Sequence, residues 1–339
     1  MFLGPGWFAV VMGLCGLALA WRRASAWWGE AAVAASVVIA LLAALVFVVL
    51  AAASVARAWR HPHAWSEDLR HPVRHPFVAA IPVAMLLLAT AAQALVGHAV
   101  GITVLWMVGA ATQFAATVWV LSRWIAPAGL AWPSITPVLF IPVVGNVLTA
   151  LGGVALGQSE WAAAQFAIGV VMWPVVLALL AVRIGLHGLW PERLLPTTFI
   201  TIAPPAVIGL GLLQWGAPVL LAWACWGAAL FFLAWSATVL PRLARQDFGV
   251  SFWGLSFPLA AFASLTLALA ASAGEGWRVL ALTVLVLVTL VIAGLAIGTV
   301  RGLARGTLLV PEAPPGQGPS TTPSPTSPTT PPVTTSAAA

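Results

Sequence analysis

A proline falls near the middle of every second hydrophobic segment of this chain. Pro82, Pro142, Pro204 (followed by Pro205) and Pro258 lie 60, 62 and 54 residues apart, and the segments between them hold no internal proline except Pro174. Proline inside a helix removes a backbone hydrogen bond and bends the helix. In lipid the freed carbonyl is tolerated only where protein or a water-filled cavity satisfies it. The spacing therefore predicts alternating kinked and straight helices, the kinked set facing protein or a cavity. The repeating unit is a two-helix hairpin.

Composition places these segments in a membrane. Of 339 residues, 62% are hydrophobic and 6% are charged, against about 25% charged in a soluble domain. A spanning helix takes about 20 apolar residues. Ten segments qualify: 7–21, 31–56, 77–97, 100–122, 136–156, 161–182, 197–215, 218–240, 251–272 and 277–300. Links as short as Gly97-His98-Ala99 and Gly216-Ala217 force antiparallel neighbours. The expected fold class is an all-α polytopic membrane protein whose ten transmembrane helices form five hairpins. In the first segment Gly13 and Gly16 stand where the other odd-numbered segments carry proline.

Every basic side chain other than histidine is arginine, and tyrosine is absent, a bias read as genomic composition. The links after even-numbered segments, with the C-terminal flank, hold eleven arginines (57, 60, 70, 74, 123, 183, 193, 242, 245, 301 and 305), and those after odd-numbered segments hold three, Arg22, Arg23 and Arg278. Basic residues stay on the cytoplasmic side, so both termini are expected there, Arg22 and Arg23 arguing locally against it. Topology thus accounts for the net charge of +6 without a nucleic-acid partner. No basic region precedes the first apolar run, so no cleaved signal peptide is read there. Trp7, Trp21, Trp27, Trp28, Trp59, Trp124, Trp132, Trp161, Trp190, Trp215, Trp253 and Trp277 lie near predicted helix ends and read as interfacial anchors. Residues 311–339, with nine prolines, eleven Ser or Thr and one charge, cannot build a core. A boundary is expected at 305/306, separating a membrane domain (1–305) from a disordered Pro/Ser/Thr-rich cytoplasmic tail (306–339).

Catalytic constellations are missing. There is no phosphate-binding Gly-Lys-Ser/Thr loop and no His-Glu-x-x-His motif, and no mid-membrane carboxylate or histidine of the kind a proton relay uses. No enzyme activity, cofactor or metal is expected. Cys15 and Cys225 lie inside apolar segments, where small thiols pack. Arg-His-Pro occurs three times, at 60, 70 and 74, placing four histidines between 61 and 75. The prolines predict an extended, solvated link there. Metal binding and pH sensing are the alternatives.

Within the spans the polar residues are mild and share faces. Pro142, Asn146, Thr149 and Gly153 recur at helical spacing in the fifth segment. Thr197, Thr201, Pro204, Ile208 and Gly211 do so in the seventh, and Val250, Gly254, Phe257, Ala261, Ser264 and Ala268 in the ninth. Two readings of this spacing stay open. Small residues let membrane helices pack closely, or these faces line a pore that the Phe257 ring blocks, since a hydrophobic constriction can gate by excluding water. On the pore reading the lining is Gly254, Ala261, Ser264, Thr201, Thr197, Asn146, Thr149 and Gly13, with Pro82, Pro142, Pro204 and Pro258 as kinks.

Four stretches resemble one family. Phe252-Trp253-Gly254-Leu255-Ser256-Phe257-Pro258-Leu259-Ala260 in the ninth segment is similar to a signature of the tellurite-resistance/dicarboxylate transporter (TDT) family, which includes bacterial TehA channels and plant slow-type anion channels. His71-Pro72-Val73-Arg74 with Phe77 and Ile81-Pro82, Pro196-Thr197-Thr198-Phe199 with Ala203-Pro204-Pro205-Ala206, and Gly6-Trp7-Phe8 with Met12-Gly13 are similar to its third, seventh and first helices. The resemblance covers about 1–305. It implies a homotrimer in which each protomer rings a central pore with its odd-numbered helices, Phe257 as the pore-blocking ring, and small inorganic or organic anions as cargo across the bilayer. A passive channel is the expected activity, because a pore without fixed charge binds anions weakly enough to release them. A secondary carrier of C4-dicarboxylate, sulfite or a tellurium oxyanion is the alternative. It calls for an intramembrane arginine or for opposed half-helix N-termini.

Overall fold

The structure, a computed structural model, describes residues 3–71, 73–126 and 130–309. The expected tail lies outside the described residues from position 310, as does Pro72 of the third-segment motif. The spans are α1 (5–28), α2 (30–60), α3 (His75–Val96), α4 (Val100–Ser122), α5 (Pro137–Gly153), α6 (Ser159–His187), α7 (Glu192–Gln214), α8 (Val219–Ala237), α9 (Val250–Ala270) and α10 (Glu275–Ala304). The first two are continuous except at Gly29 (φ 53°, ψ −136°), a conformation that side chains disfavour and glycine accepts. The chain reverses there. Ser36 Oγ donates to Ala18 O at 2.7 Å, and the Phe8 and Phe47 rings meet edge to face at 5.8 Å. Gly97, Gly157 and Gly216 turn the next three hairpins in the same way.

The odd-numbered spans form the inside. Each packs on the next, and α9 returns to α1, closing a ring. The most apolar stretch of α7 is 100% buried, that of α9 83% and that of α3 56%, against 33%, 22%, 17% and 28% for α4, α6, α8 and α10. The alternation expected from the prolines is therefore the alternation of inner and outer helices.

The prolines act differently from mid-helix kinks. Every odd span opens as a tight 3-10 segment: Pro5–Phe8, His75–Ala79, Pro137–Leu139, Glu192–Ile202 and Val250–Leu255. The α-helices that follow begin at Ala80, Phe140, Ala203 and Ser256, so Pro82, Pro142, Pro204 and Pro258 all sit in a first α-turn. There 3-10 pairing gives way to α pairing, so the missing N–H falls where the hydrogen-bond pattern already changes. The prolines thus mark the joint where 3-10 winding gives way to α. Pro174 alone lies inside an unbroken outer helix.

Span α5 is the most interrupted, with a second 3-10 segment at Gly145–Leu148. Its carbonyls are met by α4. Gln113 Nε2 donates to Ile141 O at 3.1 Å and Pro142 O at 3.2 Å, and Thr117 Oγ1 donates to Pro142 O at 2.7 Å. Both side chains are buried, and a carbonyl left unpaired at this depth is costly. Gln113→Leu is expected to lose about 1–2 kcal/mol. In detergent its thermal midpoint should fall, while Thr112→Val on the exposed neighbouring face should hold the wild-type midpoint. Equal midpoints for Gln113→Leu and wild type would remove this role.

The link between α2 and α3 is not extended. Pro62–Arg70 is helical, with Pro62 at the helix start where proline is favoured. Asp68, 1% exposed, pairs with Arg57 Nη1 at 2.7 Å and Arg74 Nη1 at 2.9 Å, tying this helix to the end of α2 and to the turn before α3. His71 Nδ1 accepts from the Val73 N–H at 3.1 Å, which shapes the turn into α3. Among the described residues no three His, Cys, Asp or Glu side chains converge as for a metal. Several tryptophans expected at the interface are interior instead. Trp7, Trp190 and Trp253 are buried, and Trp253 Nε1 donates to Thr299 Oγ1 on α10 at 2.8 Å. The Trp253 ring is drawn inward where α10 offers its N–H a partner, whereas the Trp190 N–H is buried without one.

Candidate functional site

Phe257 stands one residue before Pro258, at the 3-10-to-α joint of α9, on the inside of the ring. It is 7% exposed and borders two cavities. The larger, about 240 Å³, lies toward the hairpin turns after α1, α3 and α7, and its wall includes Ala261, Ser264, Gly16 and Leu210. The smaller, about 40 Å³, lies toward the chain-terminal face. Its side chains are apolar, among them Met12, Val83, Ile141, Ile200 and Val207. The ring therefore borders both a roomier compartment and a narrower, apolar one.

The seam between α1 and α9 fixes this ring. A β-carbon on Gly16 would lie 3.0 Å from Phe257 Cδ2 and 3.0 Å from the Ala260 β-carbon, and one on Gly13 would lie 2.2 Å from Ser256 Oγ. The glycines of α1 bring two backbones together. Ser256 Oγ donates to Trp253 O at 2.6 Å, so no donor of this hydroxyl is left for an ion.

The residues expected to line a pore divide. Phe257, Ala261 and Ser264 border the cavities, and Pro204 borders the smaller one. Gly13 packs on Ser256, and Gly254 packs on the Thr197 backbone, its notional β-carbon 3.3 Å from Thr197 Cα. Asn146 Nδ2 donates to Thr117 Oγ1 on α4 at 2.7 Å, and Thr149 Oγ1 to Ala162 O on α6 at 3.0 Å. Thr197 and Thr201 donate to Leu194 O and Thr198 O, at 2.6 and 2.8 Å. Gly13, Gly254, Asn146, Thr149, Thr197 and Thr201 line neither of the two cavities. The three threonine hydroxyls are spent on carbonyls and the Asn146 amide on a hydroxyl of α4, while Asn146 Oδ1 is buried without a partner.

A family model described as SLAC1, voltage-dependent anion channel, matches residues 3–300. The chain belongs to the voltage-dependent anion channel family. The match runs through all four motifs that carried the TDT resemblance. Among curated relatives, the S-type anion channel SLAH2 of Arabidopsis thaliana is 26% identical over 203 residues, covering 59% of this chain and 39% of SLAH2. SLAH1 of the same plant is 28% identical over 130 residues, covering 36% of this chain and 33% of SLAH1. The chain thus spans well under half the length of the curated relatives it matches.

This voltage-dependent anion channel family member carries polar groups at its larger cavity that the spacing of small residues did not reveal. Arg22, Arg23, Thr90, Gln93 and Gln214 all border it. Arg22 is held by its neighbours, Nε donating to Ala94 O and Nη1 to Ser25 Oγ, both at 2.9 Å. The sequence signal was the arginine pair itself, which breaks the charge asymmetry of the links. Gln93 and Gln214 sit near the ends of α3 and α7.

Proposed function

We propose that this protein is a passive anion channel whose conduction path runs along the ring axis and is closed by Phe257. The observation that carries the reading is the position of that side chain: one aromatic ring borders both cavities, and the smaller cavity beyond it is walled by apolar side chains. A constriction of this kind excludes water, and a hydrated ion cannot cross where water does not. The family match and the S-type anion channels among the relatives support anions as the cargo. Eleven arginines against three support termini on the cytoplasmic side of a plasma membrane. The exposed apolar faces of the outer helices suit lipid and the flanks of two further copies in a homotrimer.

Arginines at the larger cavity favour the carrier reading to one degree, since a carrier of a dianion wants such a group. Purified protein in liposomes separates the two. An imposed gradient of chloride, nitrate, sulfite, malate or a tellurium oxyanion is expected to drive flux whose reversal potential follows that anion alone. Flux that shifts with a proton or sodium gradient would make the protein a carrier, and flux of none of these anions would end both readings.

A further inference from the structure

The larger cavity holds two guanidinium groups, the amides of Gln93 and Gln214 and the hydroxyl of Ser264, and no carboxylate borders it. The Thr90 hydroxyl at this wall is spent on Leu86 O, and the rest is apolar, with Leu19, Leu151, Leu210 and Phe257. Low-dielectric walls around charges of one sign focus the potential in a cleft. Arg22 is already satisfied by Ala94 O and Ser25 Oγ. Arg23 makes no hydrogen bond or ion pair among the described residues, and it is only partly exposed. A partly desolvated guanidinium without a counter-charge is costly. Its five donors match the paired oxygens of an oxyanion better than they match a single halide.

We propose that this cavity is an oxyanion-binding vestibule in which Arg23 is the principal ligand-holding group and Gln93, Gln214 and Ser264 complete the donor set. It concentrates planar or tetrahedral oxyanions on one side of Phe257 only, the side of the hairpin turns. The inference rests on the anion-channel reading for its purpose, but not for its test.

The test reads binding rather than flux. Full-length protein in neutral phosphatidylcholine nanodiscs is unfolded thermally while nitrate replaces gluconate at constant ionic strength. A ligand that binds only the folded state raises the midpoint saturably. Wild type should show this rise, and Arg23→Gln should need a nitrate concentration on the order of tenfold higher for the same rise. Arg23→Lys, which keeps the charge and loses the fork, should recover chloride binding but not nitrate binding. If Arg23→Gln does not fold, Arg23→Lys and Gln214→Leu carry the test, both expected to weaken nitrate selectively. Equal nitrate response in wild type and these variants would overturn the proposal. If phosphatidylglycerol in the nanodisc abolishes the nitrate response, the site belongs to a lipid phosphate and the vestibule is again overturned. Binding without flux would instead sink the channel reading and leave the site standing.

Discussion

Phe257→Ala joins the two cavities into one passage and raises anion flux on the order of tenfold or more, a barrier change of about 1.4 kcal/mol or greater. The ring is the side chain that borders both spaces, so its removal leaves small residues, Gly16 and Ala261, beside the opening. Phe262→Ala is the matched control. That ring stacks on Trp226 of α8 at 5.8 Å and lines neither cavity, so its loss should cost stability without opening a path. Currents across planar bilayers report both variants. An unchanged current in Phe257→Ala, or the same rise in Phe262→Ala, would strip Phe257 of its gate role.

Gly13→Ala has the largest expected effect on stability. The added β-carbon would fall 2.2 Å from Ser256 Oγ and 2.5 Å from the Ser256 β-carbon. The hydroxyl can turn aside, but the β-carbon cannot, so α1 and α9 must part. Overpacking typically costs about 1–3 kcal/mol, more where backbones must move. Thermal unfolding in detergent should show this loss, and Ser256→Gly in the same chain should restore most of it, since the next atom is Trp253 Cε3 at 3.3 Å. A single Gly13→Ala variant as stable as wild type would contradict the close seam.

Much of the fold was legible because prolines and hydrophobic length are local signals. Pro82, Pro142, Pro204 and Pro258 identify the inner spans, and the short links between apolar runs leave only hairpins. What the prolines do was less legible, because a 3-10 lead-in and a mid-helix kink share one sequence signal. The direction of the polar faces was the main loss. Asn146 and Thr149 recur at helical spacing, but spacing specifies a face and not the way it points, and here that face meets a hydroxyl of α4 and a carbonyl of α6 rather than a cavity. Arg22 and Arg23 were read only for orientation, since their approach to Gln93 and Gln214 exists only once the ring has closed. The Pro62–Arg70 helix was lost to the weight given to its flanking prolines, one of which starts it.

The glycine seam between α1 and α9 also bears on how fast conduction can switch. Two backbones in contact, in a ring with no free edge, leave no hairpin that can swing outward without tearing packing on both sides. Dilating the whole circle is a collective rearrangement, of the kind that takes microseconds to milliseconds. Turning one phenyl ring about its first side-chain bond asks far less of the scaffold. On the proposed reading, the bore is a constant of the backbone, and what fluctuates is a single torsion angle.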